Sequence, residues 1–203
     1  MTIFDTPVLS GFLRRIARGC LALRGWSLEG APPSERRYVI IAAPHTSNWD
    51  LPLTLALGFA FGLRIRWMGK DTLFRAPLGG FFRWLGGVAI DRSRPNGMVA
   101  ASVERFRSAE DFVLVVPPEG TRSRVRYWKT GFYTIAHGAG VPIALGFLDY
   151  GRKVGGFGPA LVPTGDIDAD MRVIRDYYAN VRGKYADAFA GADVAVPPER
   201  RSA

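Results

Sequence analysis

His45 and Asp50 stand five positions apart in the run Ala43-Pro44-His45-Thr46-Ser47-Asn48-Trp49-Asp50, directly after the apolar stretch Tyr38-Val39-Ile40-Ile41-Ala42. On one regular helix five positions turn through about 500°, so the two side chains would diverge by roughly 140°. They meet only if the chain turns there from strand to helix. So placed, the carboxylate accepts the proton on one imidazole nitrogen and leaves the other free to take a proton from a substrate hydroxyl. That is general-base chemistry. The same residues also spell a helix cap, Ser47-x-x-Asp50, in which the acid only starts the next helix.

A second segment, Pro117-Pro118-Glu119-Gly120-Thr121-Arg122-Ser123, follows another apolar run, Phe112-Val113-Leu114-Val115-Val116. Gly120 lets backbone approach a ligand closely, and Thr121 and Arg122 bring hydroxyl, amide and guanidinium donors suited to phosphate oxygens. Glu119 would repel an anion unless it is paired, so its expected work is to orient Arg122 or the loop. Taken alone, the segment is equally a strand-ending turn with a solvated Arg.

Together, His-x4-Asp followed by Glu-Gly-Thr-Arg resembles the glycerolipid acyltransferases typified by bacterial lysophosphatidate acyltransferases. Gly86-Gly87-Val88-Ala89-Ile90-Asp91-Arg92 looks like that family's second block, and Val141-Pro142-Ile143-Ala144 like its fourth. Lys70, in Gly69-Lys70-Asp71, matches a basic position ahead of the second block, and the likeness covers residues 38–147. Pro44 departs from the Asn usual before the His, and Pro117 from the usual aromatic or apolar residue. The resemblance implies that His45 and Asp50 are the catalytic pair. It implies direct transfer of a fatty acyl group from acyl-CoA or acyl carrier protein to a lysophospholipid hydroxyl, 1-acyl-sn-glycerol-3-phosphate giving phosphatidate. Lys70, Arg92, Glu119, Gly120, Thr121 and Arg122 would bind substrate, with no metal and no resident cofactor. Another lyso-lipid acceptor, such as an amino-acid-linked lipid, is the alternative that the departures leave open.

Direct transfer is favoured over an acyl-enzyme, because the chain has no Gly-x-Ser-x-Gly elbow and its single cysteine, Cys20, is far in sequence from the His/Asp pair. One cysteine excludes an intrachain disulfide. Two histidines without close His or Cys neighbours make a zinc site improbable. The second histidine, His137, has no carboxylate at useful spacing and reads as a structural or surface residue.

Positioning these residues requires strands ending just before them. Apolar runs predict strands near 37–42, 64–68, 87–91, 112–116, 141–148 and 158–162. Helical spacing predicts helices over 51–62, 76–85, 96–109, 131–138 and 168–185. The 51–62 segment is apolar nearly all round, which suits a buried helix or the wall of a lipid pocket. Trp49, Trp67, Phe81, Phe82 and Trp84 are candidates for an acyl channel, with core packing the ordinary alternative. The alternation predicts a single α/β domain with a largely parallel or mixed sheet flanked by helices. His45, Lys70, Arg92 and the segment from Glu119 to Arg122 would then all follow C-terminal strand ends, the edge where such sheets bind ligands.

At 203 residues and 48% hydrophobic, the chain can bury a full core. Its 27 basic and 18 acidic residues leave +9, which favours an anionic partner such as a membrane surface, a phosphorylated substrate or an acidic carrier. Nucleic acid fits the charge too, but the basic residues form no recognised motif and the His/Asp pair would go unexplained. Leu9, Phe12, Leu13, Ile16, Cys20 and Leu23 repeat at helical spacing opposite Arg14, Arg15 and Arg18. This predicts an N-terminal amphipathic membrane-associating helix, an ordinary packed helix being the alternative. The expected organisation is a membrane-associating segment over 1–30, an acyltransferase domain over 31–190 and a tail over 191–203. Without an apolar run long enough to span a bilayer or a secretory signal, the expected location is peripheral or monotopic, on the cytoplasmic face of the cell membrane.

Overall fold

Strands and helices alternate through the computed structural model, which describes residues 2–90 and 95–189. The strands are β1 (Ser27–Glu29), β2 (Arg37–Ala43), β3 (Ile65–Lys70), β4 (Gly87–Ile90), β5 (Phe112–Val116), β6 (Ile143–Asp149) and β7 (Val154–Leu161). The helices are α1 (Pro7–Leu23), α2 (Asp50–Phe61), α3 (Gly79–Trp84), α4 (Pro95–Ser108), α5 (Gly131–Ala139) and α6 (Ile167–Tyr178). One seven-stranded sheet runs β1-β7-β6-β2-β5-β3-β4, with every neighbouring pair parallel except the antiparallel β6 and β7. This is a single α/β domain with a mixed sheet.

The strand sequences explain the layering. In β2, Tyr38 and Ile40 enter one apolar cluster while Val39 and Ile41 enter the other; in β5, Val113 and Val115 oppose Phe112 and Leu114 in the same way. Side chains alternate across a strand, so a strand apolar at every position must be covered on both faces. On one face Leu9 and Leu13 of α1, Leu51, Leu55 and Phe59 of α2, and Phe82 of α3 complete the cluster. On the other, Phe106 of α4, Phe132 and Ile135 of α5, and Met171, Ile174 and Tyr178 of α6 do so.

Several boundaries differ from expectation. β1 was not anticipated, because Ser27-Leu28-Glu29 has no apolar run; it is held by pairing with β7. β7 begins at Val154 rather than near 158, since Gly155 and Gly156 carry no β signal yet pair with Leu148 and Phe147. α3 is only the core of the predicted 76–85 helix, and α6 ends at Tyr178, well short of 185. Residues 181–185 instead cross the sheet edge as a strap. The tail expected over 191–203 lies outside the described residues.

The N-terminal helix packs on the domain along one side. Ala17 and Leu21 are buried and Leu9 and Leu13 pack on the core, so α1 is part of the domain rather than a detached segment. Phe12, Ile16, Cys20 and Leu23 remain exposed on its outer side. No helix among the described residues is long and apolar enough to cross a membrane.

Candidate active site

The C-terminal ends of β2, β3, β5 and β6 point the same way, and the chemistry-bearing segments leave from them. β2 ends at Ala43, and the chain turns through Pro44 to Asn48 into α2, whose first residue is Asp50. That turn folds His45 back onto the acid, with Nδ1 3.2 Å from Asp50 Oδ2. The same oxygen accepts the backbone N–H groups of Thr46 and Ser47, both at 2.8 Å. Asp50 therefore braces the turn as the cap pattern suggests and faces the imidazole as well. Burial works against its charge, but hydrogen bonds from His45, Tyr150 and Ser47 outweigh that and hold the carboxyl below its usual range.

Glu119 is buried where the loop after β5 meets the turn after β2. Its carboxylate accepts the His45 backbone N–H at 3.0 Å, tying the two segments together. The side chain is 4% exposed, and Oε2 has no hydrogen-bond partner. A charge there is poorly solvated, so burial pushes the carboxyl up to about 7, against the His45 hydrogen bond. An unfolded Glu119 loses its proton near 4.5 and the folded one keeps it until about 7, so this residue costs stability as pH rises through that window. Glu119→Gln keeps an acceptor for His45 but cannot ionise. Its stability relative to wild type is expected to rise by on the order of 3 kcal/mol between pH 4.5 and 8, measured by denaturant unfolding. A difference that does not change with pH would show that Glu119 titrates as a solvated acid.

Beyond Glu119 the backbone turns at Gly120, whose φ of +64° favours glycine. Thr121 and Arg122 follow, both exposed. With Lys70 at the end of β3, Gly120, Thr121 and Arg122 line an open cleft of about 510 Å³ that also reaches His45 and Asp50. Arg92 lies outside the described residues. Trp67 and Phe82 line this cleft, whereas Phe81 and Trp84 lie outside it, 51% and 42% exposed, and Trp49 stands 53% exposed under the Lys184 ammonium. His137 is exposed and stacked on Tyr133.

A second space opens at the same pair. Pro44, His45 and Asp50 border a narrow apolar cavity of about 50 Å³ running between α2, at Leu57 and Gly58, and the sheet, at Ile40 and Phe157. The His/Asp pair thus stands where a cationic cleft meets a narrow apolar pocket.

Two features escaped sequence reasoning. Tyr150, just past β6, donates its hydroxyl to Asp50 Oδ1 at 2.7 Å. The strand-end rule that nominated Lys70 would have nominated it also, but no surrounding pattern marked it. The strap packs Gly183 against the turn, where a Cβ would come within 2.8 Å of Thr46 Oγ1, and Tyr185 N–H reaches that hydroxyl at 3.3 Å. The error in the length of α6 hid this contact.

The family model described as Acyltransferase matches residues 28–144, more than half of the chain. Among solved structures the fold is similar to that of the 1-acyl-sn-glycerophosphate (LPA) acyltransferase PlsC from Thermotoga maritima. The TM-score is 0.57 at 17% identity, over 83% of this chain and 76% of that one. No curated protein sequence matches the chain significantly.

Proposed function

The chain belongs to the acyltransferase family, and from that premise we propose that it acylates the free hydroxyl of a lyso-lipid at a membrane surface, with 1-acyl-sn-glycerol-3-phosphate the favoured acceptor. The observation that carries this reading is the His45/Asp50 pair, 3.2 Å apart, at the junction of a cationic cleft and an apolar pocket. The acceptor phosphate sits in the cleft against Arg122, Thr121 and Lys70. The carbonyl end of the thioester's fatty chain faces the apolar pocket beneath α2. His45 takes the proton from the acceptor hydroxyl as its oxygen attacks the thioester carbonyl, and Asp50 holds the imidazole tautomer and the imidazolium that forms. Collapse of the tetrahedral intermediate expels the thiolate, which takes the proton back from His45. Acyl-CoA and acyl carrier protein both carry the negative charge that suits this surface.

The test crosses both donors with lysophosphatidate, an amino-acid-linked lyso-lipid and monoacylglycerol, and follows thiol release. Fastest turnover with lysophosphatidate is expected; a preference for the amino-acid-linked acceptor would keep the chemistry and replace the substrate.

Attachment to the cytoplasmic face of the membrane is part of the same reading. Exposed apolar side chains concentrate on the layer of α1 and α3, with Phe12 62% exposed and Ile16, Leu78, Phe81 and Trp84 also open to solvent. Net charge of +9 adds attraction to anionic lipid. Deleting residues 1–24 is a poor test, because Ile3, Phe4 and Leu21 belong to the core and each contributes about 1.5–3 kcal/mol by burial. Phe12→Ser with Ile16→Ser touches only the outer side. This pair is expected to lower cosedimentation with phosphatidylglycerol vesicles several-fold while leaving thermal stability nearly unchanged, and undiminished cosedimentation would remove α1 from the docking surface.

A further inference from the structure

Asp50 is held by more than the turn it caps. Oδ2 takes Thr46 N–H, Ser47 N–H and His45, while Oδ1 takes the Tyr150 hydroxyl at 2.7 Å. Tyr150 is itself fixed from three sides. Its backbone N–H donates to Arg182 carbonyl oxygen at 2.9 Å, and its ring meets Trp26 edge-on at 5.1 Å. The turn that presents it is pinned by buried Asp149, which accepts Gly151 N–H at 2.9 Å and Arg152 Nε–H at 2.8 Å. The phenol is thus a pre-set donor, and no other side chain among the described residues serves Asp50 Oδ1. Both Tyr150 and the Arg182 that anchors it lie beyond residues 28–144, the segment that the family model matches.

We propose that Tyr150 is a positioning residue of the acyl-transfer site, locking the Asp50 carboxylate in the plane that presents Oδ2 to His45. The inference rests on the reading of His45 as the base. Without the phenol, Oδ1 becomes a buried acceptor lacking a partner, and the carboxylate rotates to recover one. The His45 tautomer then loses its fixed partner. Burial and the neighbouring Asp50 carboxylate push the phenol's ionisation well above its ordinary value, so it stays a neutral donor through the working range. Tyr150 lines neither the cleft nor the apolar pocket, so its loss should leave substrate affinity alone.

The test is Tyr150→Phe, which keeps the ring on Trp26 and removes only the hydroxyl. A fall in kcat of about tenfold is expected, with both KM values within about twofold, since one hydrogen bond to a charged group is worth about that factor or more. In an Asp50→Asn background the same change should cost less than about twofold, because a residue acting through Asp50 has little left to act on. The chain has two histidines, so a spectrum selective for histidine nitrogen resolves His45 beside His137. Tyr150→Phe should move the His45 signals and leave those of His137 in place. Unchanged kcat, a loss appearing in KM, an additive loss on Asp50→Asn, or an unmoved His45 signal would each overturn the proposal. The nitrogen spectrum needs no turnover, so a protein without acyl transfer would defeat the proposed function while still reporting on the link from Tyr150 through Asp50 to His45.

Discussion

Replacing His45 with Ala is expected to lower kcat for acyl transfer by about 10²- to 10⁴-fold, the usual contribution of a positioned general base. The fold should survive. The bond that ties the loop after β5 to this turn uses the His45 backbone N–H, which alanine retains, and the side chain is 26% exposed rather than part of the core. Asp50→Asn should also be severe, because the amide can present a donor to the imidazole and favour the wrong tautomer. It also removes the charge that Thr46 and Ser47 N–H groups bind, so part of its loss would be structural. The histidine variant is therefore the cleaner measurement. Thiol release at saturating donor and acceptor, alongside thermal unfolding, gives the comparison. Near wild-type kcat in a folded His45→Ala protein would end the assignment of the pair.

Arg122→Ala is expected to lower kcat/KM on lysophosphatidate by roughly 10- to 150-fold, corresponding to about 1.5–3 kcal/mol for a charge-assisted contact. The guanidinium is exposed in the cleft, across the His/Asp pair from the apolar pocket, where a head group has room. Arg122→Lys should recover only part of the loss, since an ammonium cannot reproduce a two-pronged contact with phosphate oxygens. On uncharged monoacylglycerol the alanine change should cost little. Equal fractional losses on both acceptors would mean that Arg122 supports the loop or the donor instead of reading the acceptor phosphate.

How much of this was legible beforehand follows from where the information resides. Strands buried on both faces announce themselves as continuous apolar runs, so β2 and β5 and the segments leaving their ends were placed closely. Spacing showed only that His45 and Asp50 could not meet on one regular helix; that they meet across a turn was carried by the second segment and the resemblance it completes. Glu119 was expected to orient Arg122 or the loop, but its partner could not be named, because that partner is a backbone N–H on another strand's turn and backbone donors leave no mark in a sequence. Tyr150 was missed for a related reason: a single Tyr after a strand end gains meaning only when the sheet order sets β6 beside β2. The strap was hidden by periodicity, as Val181 and Tyr185 continue the apolar spacing of α6 after the helix has stopped. The stripe read along α1 held Phe12 but not Leu21, which lies about half a turn away, and only the packing shows that the buried side runs through Ala17 and Leu21 while Phe12 stays exposed.

The central claim is direct transfer, in which His45 activates the acceptor and the protein never carries the acyl group. Its most direct measurement is to mix wild-type protein with acyl thioester alone, record intact mass and free thiol, and then add lysophosphatidate. The account predicts unchanged protein mass and negligible thiol before the addition, then thiol and phosphatidate in equal amounts after it. A protein heavier by one acyl group, or a burst of thiol before acceptor is present, would contradict it.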